Sequence, residues 1–278
     1  MVPVGANGIG EAYVRALVKA GVHVVFGDLD VAGGQKLEAE LTGTKFVKCD
    51  TTSWEDQVAL FSAAKSFSPT ASIHYVVANA GITRQDDVFT YNPLGPEKPD
   101  LKIIDVNING VLYTTKLATH YFISQNGEVE SDKQEDTCLV LISSGAGYLD
   151  CPGAPQYQAT KYGMRGVMHS LRRTAHHYGS RVNIIAPWYV ETKILSKEAF
   201  DHVKSLGVEF ATLADAGDCL LKIVSDKQMN GHSLFLSPRK WAPRGYQDLA
   251  LDDYEDELLK EITRDQLKGS EAEEKLFL

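Results

Sequence analysis

The chain has 278 residues, 44% apolar and 23% charged, which is enough for one large domain with a full core plus an appendage. No run of about 18 apolar residues is present and the first residues do not resemble a signal peptide, so we expect no membrane span and a cytoplasmic location. Of the formal charge of −9, residues 247–278 contribute −7, from eleven acidic and four basic residues. The nearly neutral remainder has no basic stripe, which argues against nucleic-acid binding.

The four cysteines, Cys49, Cys138, Cys151 and Cys219, are widely scattered. They form no Cys-x-x-Cys pair and have no histidine at metal-ligand spacing. We therefore expect free thiols, no disulfide framework and no metal site.

Short apolar runs alternate with helical patterns along the chain. The candidate strands are 22–26, 45–49, 73–78, 138–143, 181–186 and 233–236, and helical stripes occupy 9–20, 101–124, 156–178 and 211–225. Strict alternation predicts an α/β fold of the Rossmann type, a doubly wound parallel sheet with helices on both faces. We place this domain at 1–240.

The pattern changes in residues 241–278, which we predict to be an acidic, helical C-terminal extension. Leu251, Tyr254, Leu258 and Ile262 would line one face of an amphipathic helix. The simplest interpretation is a helix that lies on the body or frays into solvent.

A glycine-rich turn opens the first helix, with Gly5, Asn7, Gly8, Ile9 and Gly10 as its candidate cofactor-binding residues. Glycines let backbone amides approach a pyrophosphate, and a helix N-terminus favours its negative charge. A helix and then a strand follow, as a dinucleotide-binding unit requires.

Asp28 lies just past that strand, eighteen residues after Gly10. Its carboxylate is placed to accept hydrogen bonds from the adenosine ribose and would repel a ribose phosphate, which predicts NAD rather than NADP as the cofactor. Asp50, after the next strand, is placed to meet the adenine amino group. The alternatives are a turn-capping role for Asp28 and an ordinary loop aspartate at Asp50.

Tyr157 and Lys161 are four residues apart in a helical pattern, so they share one helix face. A free tyrosine has a pKa of about 10, and a nearby ammonium lowers it, so Lys161 is expected to make Tyr157 a better base. Alone, such a pair on a helix more often consists of surface residues without a catalytic role.

Taken together, these motifs resemble the classical short-chain dehydrogenase/reductase superfamily over about residues 3–236. They are VPVGANGIG at 2–10, Asp28, Asp50, ANAG at 78–81, Asn107, SSGAG at 143–147 and YQATK at 157–161. Further segments look most similar to the NAD-dependent 15-hydroxyprostaglandin dehydrogenase-like and fungal 5'-hydroxyaverantin dehydrogenase-like branch.

The resemblance implies a catalytic set of Asn107, Ser144, Tyr157 and Lys161. Tyr157 is then the general acid/base, Lys161 holds the nicotinamide ribose, Ser144 binds the substrate oxygen, and Asn107 supports a water-linked proton route. The family's usual spacing to the tyrosine selects Ser144 over Ser143. For Asn107, a structural role in bending its helix is the alternative.

Other cofactor contacts follow from the same resemblance. They are assigned to Asn79, Ala80, Gly81, Tyr157, Lys161, Pro187, Val190 and Thr192. Asn79 is also expected to tie neighbouring strands together.

The predicted substrate side is apolar and aromatic, with no clustered Arg or Lys to hold a phosphate. Its main members are Ser144, Tyr148, Tyr157, Trp188 and Tyr189, and Leu149, Pro152, Ile194, Leu195 and Phe200 are expected nearby. This favours a hydrophobic alcohol or ketone, aromatic ones included. The family resemblance implies a secondary alcohol of lipid or secondary metabolism. The same residues would equally suit packing of a lid.

Two departures from the family pattern stand at the start of the chain. Pro3 and Val4 replace the usual Thr-Gly, and the first strand is reduced to a few residues. We expect either a truncated or mis-started chain or a shortened strand. The alternatives to an NAD-dependent alcohol dehydrogenase are a non-catalytic dinucleotide-binding regulator and an NADPH-dependent ketoreductase.

The resemblance also implies a homodimer or homotetramer, formed through the helices at 101–124 and 156–178. Met164, Val167, Met168 and Leu171 would supply an apolar seam. Ordinary core packing within one chain is the alternative role for these residues.

Overall fold

A computed structural model describes residues 1–249 and 255–271, the last three of these by their backbone alone. The strands in the described residues are β1 Val2–Pro3, β2 Val24–Asp28, β3 Thr44–Lys48, β4 Tyr75–Ala78, β5 Thr137–Ile142, β6 Ser180–Pro187, β7 Ser233–Leu236 and β8 Tyr246–Asp248. The helices are α1 Gly8–Lys19, α2 Val31–Glu40, α3 Trp54–Phe67, α4 Lys102–Ile104, α5 Gly110–Asn126, α6 Pro155–Leu171, α7 Lys197–Ser205, α8 Leu213–Ser225 and α9 Glu257–Glu271.

The strands form the predicted doubly wound parallel sheet. β1 pairs with β2, β2 with β3, and β4 through β7 pair in sequence order, all in parallel. The amide of Val77 donates to the carbonyl of Met1 at 3.0 Å, which places β1 against β4 and joins the two halves. β2, β5, β6 and β7 are buried along their whole length because helices cover both faces of the sheet.

The first strand is shortened, as predicted, to two residues paired with Phe26 and Gly27. The backbone bonds to β2 and β4 show that even two residues fill the central position between them. At the level of these two residues, β2 and β4 therefore both have a hydrogen-bonding partner in β1.

Two apolar cores lie on opposite faces of the sheet. One joins α1 and α8 through side chains such as Tyr13, Leu17 and Leu220. The other joins α3, α5 and α6, and it includes Met164 and Met168, which are 1% and 0% exposed. The prediction that these two methionines form a dimer seam is thus wrong, because both are buried in the core of a single chain.

Three parts of the chain differ from the simple predicted pattern. The helix predicted at 156–178 ends at Leu171 and is followed by a 3₁₀ turn at Ala175–Tyr178. The helix predicted at 101–124 contains a π-helical turn at Asp105–Asn109. β8, which was not predicted, pairs antiparallel with β7 and forms one edge of the sheet.

The predicted C-terminal helix is present as α9. Leu258 and Ile262 on it are 64% and 53% exposed, whereas Leu251 and Tyr254 lie outside the described residues. The predicted domain division at 240/241 falls in the loop between β7 and β8. In the described residues, no helix is long and apolar enough to cross a membrane.

Candidate active site

Most of the predicted site residues lie at one edge of the sheet. β1 leads into the glycine turn at 5–10, β2 ends at Asp28, β4 is followed by Asn79, β5 by Ser143 and Ser144, and β6 ends at Pro187. The carboxyl ends of all parallel strands lie along the same end of the sheet. Ligands bind at this end, at the point where the strand order reverses. In this sheet the reversal lies between β1 and β4.

The glycine turn is shaped so that a side chain on its glycines would collide with the backbone or core. A Cβ on Gly10 would lie 2.0 Å from the carbonyl oxygen of Val4, and one on Gly5 would lie 2.8 Å from Cβ of Phe26. Gly8 has φ +58, a left-handed conformation that glycine adopts without strain. α1 begins at Gly8, so its free amides face the space left by the turn.

Val4 also has a left-handed backbone, with φ 59. A β-branched residue is strained in this conformation, and Val4 stands where the family usually has glycine. The Asn79 side-chain amide donates to the Val4 carbonyl at 2.6 Å. Asn79 therefore ties the end of β4 to the entrance of the glycine turn, the structural role predicted for it.

The carboxylate of Asp28 is buried and lies against the glycine turn. Oδ2 accepts from the amide of Ala6 at 3.0 Å, and Oδ1 accepts from the amide of Asp30 at 2.9 Å. An ionised carboxylate has acceptor sites beyond these two, so a ribose hydroxyl is still a possible donor. Asp28 therefore supports a turn, as in the alternative interpretation, and its contact with the adenosine ribose stays a prediction.

Asp50 is engaged locally. Its Oδ1 accepts from the Thr52 amide at 2.9 Å and from the Thr52 hydroxyl at 2.7 Å. Burial works to raise the pKa of Asp50, but these hydrogen bonds and the charge of Lys102 outweigh it and lower the pKa. The geometry thus resembles the loop aspartate of the alternative interpretation, while the contact with adenine stays a prediction.

Gly81 brings the end of β4 close to two of the predicted catalytic residues. A Cβ at this position would lie 3.2 Å from Lys161 Nζ and 3.7 Å from Asn107 Oδ1. Ala80, beside it, is 4% exposed. The ANAG segment, α6 and the π-helical turn therefore meet at one place, although they are far apart in sequence.

Lys161 points into the protein from α6. Its ammonium lies 5.5 Å from the centroid of the Tyr157 ring and donates to the carbonyl of Ile142 at 3.0 Å. Burial lowers the pKa of Lys161 to about 8 because the surrounding protein solvates the charge poorly. The amine and the phenol are thus on the same side of the helix, as their spacing predicts.

The prediction that the pKa of Tyr157 is lowered is wrong for the protein without its cofactor. Burial raises the pKa of Tyr157 above its ordinary value, although a hydrogen bond with the Ser144 hydroxyl lowers it in part. Sequence spacing could not weigh these effects because it does not show how deeply the phenol is buried. The phenol is therefore protonated at neutral pH.

The two adjacent serines have different surroundings. The buried Ser143 hydroxyl donates to the backbone carbonyl of Lys161 at 2.8 Å, whereas Ser144 accepts from the Ala146 amide at 3.2 Å and bonds with Tyr157. Ser143 joins β5 to α6, and Ser144 faces the phenol. This difference favours Ser144 as the residue that contacts substrate.

Asn107 lies in the π-helical turn and is 2% exposed. Its side chain accepts from the amide of Ile82 at 2.8 Å and donates to the Ile82 carbonyl at 3.0 Å and the Thr160 hydroxyl at 3.1 Å. These bonds fix the loop after β4 against α6. They support the structural interpretation of Asn107, and its place in a proton route stays a prediction.

The segment after β6 crosses the mouth of the site. Thr192 meets the glycine turn, since a Cβ on Gly8 would lie 3.1 Å from Cβ and Cγ2 of Thr192. Val190 forms a parallel bridge with Ala211, and Pro187 is the last residue of β6. Thr192 and the amides of α1 are therefore neighbours, as a shared cofactor would require.

The predicted substrate residues fall into two groups. The indole of Trp188 lies beside Gly145, the residue after Ser144. A Cβ on Gly145 would be 3.2 Å from Cε3 of the indole. Tyr189 is 36% exposed and stacks on Phe210, with ring centroids 5.7 Å apart. By contrast Phe200 is 3% exposed and packs on Phe210, so the expectation that it lines the site is wrong.

Tyr148, the last of the main predicted substrate residues, packs against α6 through Arg165. The guanidinium of Arg165 sits 4.7 Å from the centroid of its ring. Leu149 and Ile194 are 49% and 40% exposed. Sequence reasoning missed Trp241, which contacts Trp188 from the loop between β7 and β8, because no local pattern places that loop at the site.

The chain is similar to known proteins in sequence and in fold. The family model described as short chain dehydrogenase matches residues 1–202. The chain is 34% identical over 272 residues to a 5'-hydroxyaverantin dehydrogenase of Dothistroma septosporum, covering 91% of this chain and 86% of the relative. It is 29% identical over 247 residues to an NADP-dependent dehydrogenase, M3, of a Phoma species, covering 83% and 71%.

A solved 3-ketoacyl-(acyl-carrier-protein) reductase from Brucella melitensis, complexed with NADH, has a similar fold. Its TM-score is 0.73 at 22% identity, with 84% of this chain and 94% of that chain covered. The fold, the matched family model and the identity to the Dothistroma relative together show that the chain belongs to the short-chain dehydrogenase family.

Proposed function

We propose that the protein is an NAD(H)-dependent oxidoreductase that interconverts a secondary alcohol and a ketone on a hydrophobic substrate of lipid-like or secondary-metabolite type. The observation that carries the proposal is the meeting of three groups. The Tyr157 phenol is bonded to the Ser144 hydroxyl and lies 5.5 Å, ring centroid to Nζ, from Lys161. The name of the Dothistroma relative, a 5'-hydroxyaverantin dehydrogenase, supports a substrate from secondary metabolism.

A nicotinamide dinucleotide fits the residues present. The glycine turn is packed so closely that a Cβ on Gly10 would collide with the Val4 carbonyl, α1 begins at this turn with free amides, and Asp28 lies beside it. Gly8, Gly10 and the α1 amides would hold the pyrophosphate, Asp28 the adenosine ribose and Lys161 the nicotinamide ribose. When bound, the nicotinamide supplies the hydride acceptor or donor.

The chain's own residues would handle the proton. Ser144 orients the substrate oxygen, and the Tyr157 hydroxyl exchanges a proton with that oxygen. Because burial raises the pKa of Tyr157, the phenol holds its proton at neutral pH and suits donation to a ketone. Oxidation of an alcohol needs the phenolate, so its rate should rise with pH.

NAD is proposed over NADP because a buried carboxylate at Asp28 would face a ribose phosphate. Like charges repel strongly when they are buried away from water. Related dehydrogenases include one named as NADP-dependent, so cofactor titration is part of the test.

Self-association through the outer faces of α5 and α6 is a further part of the proposal. Leu112, Tyr113 and Tyr162 are 45%, 37% and 41% exposed there. A homodimer or homotetramer would cover these side chains. Light scattering of the purified protein measures this directly, and a monomer at every concentration would contradict it.

The neighbouring serines provide the test of the proposed chemistry. Secondary alcohols with alkyl, phenyl and naphthyl groups are incubated with NAD or NADP, and nicotinamide absorbance is followed. Ser144→Ala should lower kcat by at least about 100-fold, within the range for catalytic hydrogen-bonding groups. Ser143→Ala, the matched control, should cost about 1 kcal/mol of stability through its lost bond to Lys161 and retain most turnover. Equal losses of kcat in both variants would overturn the assignment.

A further inference from the structure

The loop between β7 and β8 carries a tryptophan to the active-site edge of the sheet. Trp241 contacts Trp188 edge to face, with ring centroids 5.6 Å apart and planes at 70°. Trp188 in turn lies against Gly145, the residue after Ser144. The two indoles therefore form a continuous aromatic surface that starts beside the serine and runs outward.

Charged side chains hold the loop just before Trp241. Arg239 donates from Nε and Nη2 to the buried Asp215 carboxylate at 3.0 and 2.7 Å. Lys240, the residue next to Trp241, pairs with Glu209 at 3.1 Å, and its ammonium lies 5.0 Å from the centroid of the Trp241 ring. The Glu209 carbonyl also accepts from the Trp188 indole N–H at 3.2 Å, so Glu209 links the loop before Trp241 to Trp188.

The outer end of the surface is left open. Trp241 is 51% exposed, although these contacts hold the residues just before it. Neighbouring Ala242 is 4% exposed and the amide of Trp241 donates to the Pro238 carbonyl at 3.0 Å, so the loop itself is well packed. An exposed ring that continues an aromatic surface beside a reactive site is suited to ligand binding, because contiguous apolar surface marks binding grooves.

We propose that Trp241, together with Trp188, binds the flat ring system of an aromatic secondary alcohol or ketone and makes Trp241 a specificity-determining residue. The inference rests on the proposed function of the same site. A planar ring stacked on or set edge to face against these indoles would extend the contact already made between them. Its carbinol carbon would then lie toward Ser144, while an alkyl chain would gain no ring contact.

Selectivity between aromatic and alkyl substrates tests this role. The ratio of kcat/KM for a naphthyl methyl carbinol to that for an alkyl carbinol of similar hydrophobicity is measured with the cofactor that the enzyme prefers. Trp241→Ala should lower the ratio by about 3- to 10-fold, the effect of one aromatic contact. Trp241→Phe should keep more of the ratio, because it retains a ring.

The chain offers a matched control at Trp54 on α3. Trp54 is 39% exposed and contacts Tyr113 edge to face at 5.6 Å, much as Trp241 contacts Trp188. Trp54→Ala removes an equivalent ring away from the site and should leave the substrate ratio unchanged. Thermal unfolding of all three variants separates selectivity from loss of structure, and Trp241→Phe serves if Trp241→Ala unfolds.

Failure of this inference is distinguishable from failure of the proposed function. An unchanged ratio in Trp241→Ala, with wild-type turnover intact, overturns the role of Trp241 alone. If the wild type oxidises none of the alcohols, the proposed function fails, and titration calorimetry with naphthyl methyl ketone decides the inference. Binding that weakens in Trp241→Ala but not in Trp54→Ala supports it, and equal or absent binding in all proteins refutes it.

Discussion

The buried ammonium of Lys161 lowers the stability of the fold. A neutral side chain of similar length would remove this destabilisation. Its side chain is almost fully buried, and burial lowers its pKa to about 8 from an ordinary value of about 10.4. At about 1.4 kcal/mol per pKa unit, the buried charge destabilises the fold by about 3 kcal/mol at neutral pH. Replacing it with methionine also loses the bond to the Ile142 carbonyl, worth about 1 kcal/mol.

Lys161→Met should therefore raise the free energy of unfolding by about 2 kcal/mol at pH 7, and the melting temperature by about 4–8 °C. The same change should remove turnover, since the amine beside Tyr157 is lost. A gain in stability with a loss of function is typical of a residue kept for its chemistry.

The stability difference has a definite pH dependence. Between about pH 8 and pH 10.4 the unfolded wild-type chain binds more protons at Lys161 than the folded chain, so wild-type stability rises with pH in this window. The methionine variant lacks this contribution. Its advantage should be full below pH 8, should fall to zero near pH 10, and should become a deficit of up to about 1 kcal/mol above that pH, where only the lost hydrogen bond remains.

Urea unfolding of the wild type and the variant at pH 7, 8, 9 and 10 measures this difference. Lys36→Met on α2, where Lys36 is exposed, is the control and should change stability by no more than about 0.5 kcal/mol. A Lys161→Met variant that is less stable than the wild type at pH 7, or a difference that grows as pH rises, would refute the reasoning.

The remaining predictions concern the cofactor end of the site. Val4→Gly should leave stability unchanged or raise it by up to about 1 kcal/mol in thermal unfolding, because glycine relieves the strain of φ 59; a loss of more than about 1 kcal/mol would show that the valine is not strained. Asp28→Ser should reduce the preference for NAD over NADP in kcat/KM by at least about tenfold, because the carboxylate that opposes a ribose phosphate is removed. A wild type that already prefers NADP would contradict the premise.

The arrangement of the sheet could be predicted because its strands are buried on both faces. Runs such as 181–186 and 233–236 are rich in Val, Ile, Leu and Phe, and their observed bounds are Ser180–Pro187 and Ser233–Leu236. β8 could not be predicted in the same way. It is three residues long, partly exposed and lies at the edge of the sheet, so its sequence, Tyr246 to Asp248, lacks both the length and the apolar run of a buried strand.

In the site, helical spacing was sufficient to predict that Tyr157 and Lys161 share a face, because that geometry is local. The pKa of Tyr157 was not predictable, since it depends on burial by elements distant in sequence. The contact between Trp188 and Trp241 likewise joins positions 53 residues apart through the turn after β7. Contacts of this kind become visible only when the chain is folded.

The central claim is that the Tyr157 hydroxyl moves the proton. The most direct measurement is the single-turnover rate of Tyr157→Phe with the preferred secondary alcohol and NAD, alongside NAD binding by calorimetry. We expect a rate at least about 1,000-fold below the wild type. The dissociation constant for NAD should stay within about twofold of the wild-type value, because the phenol hydroxyl is removed without disturbing the glycine turn. A variant that keeps a tenth or more of the wild-type rate would contradict it.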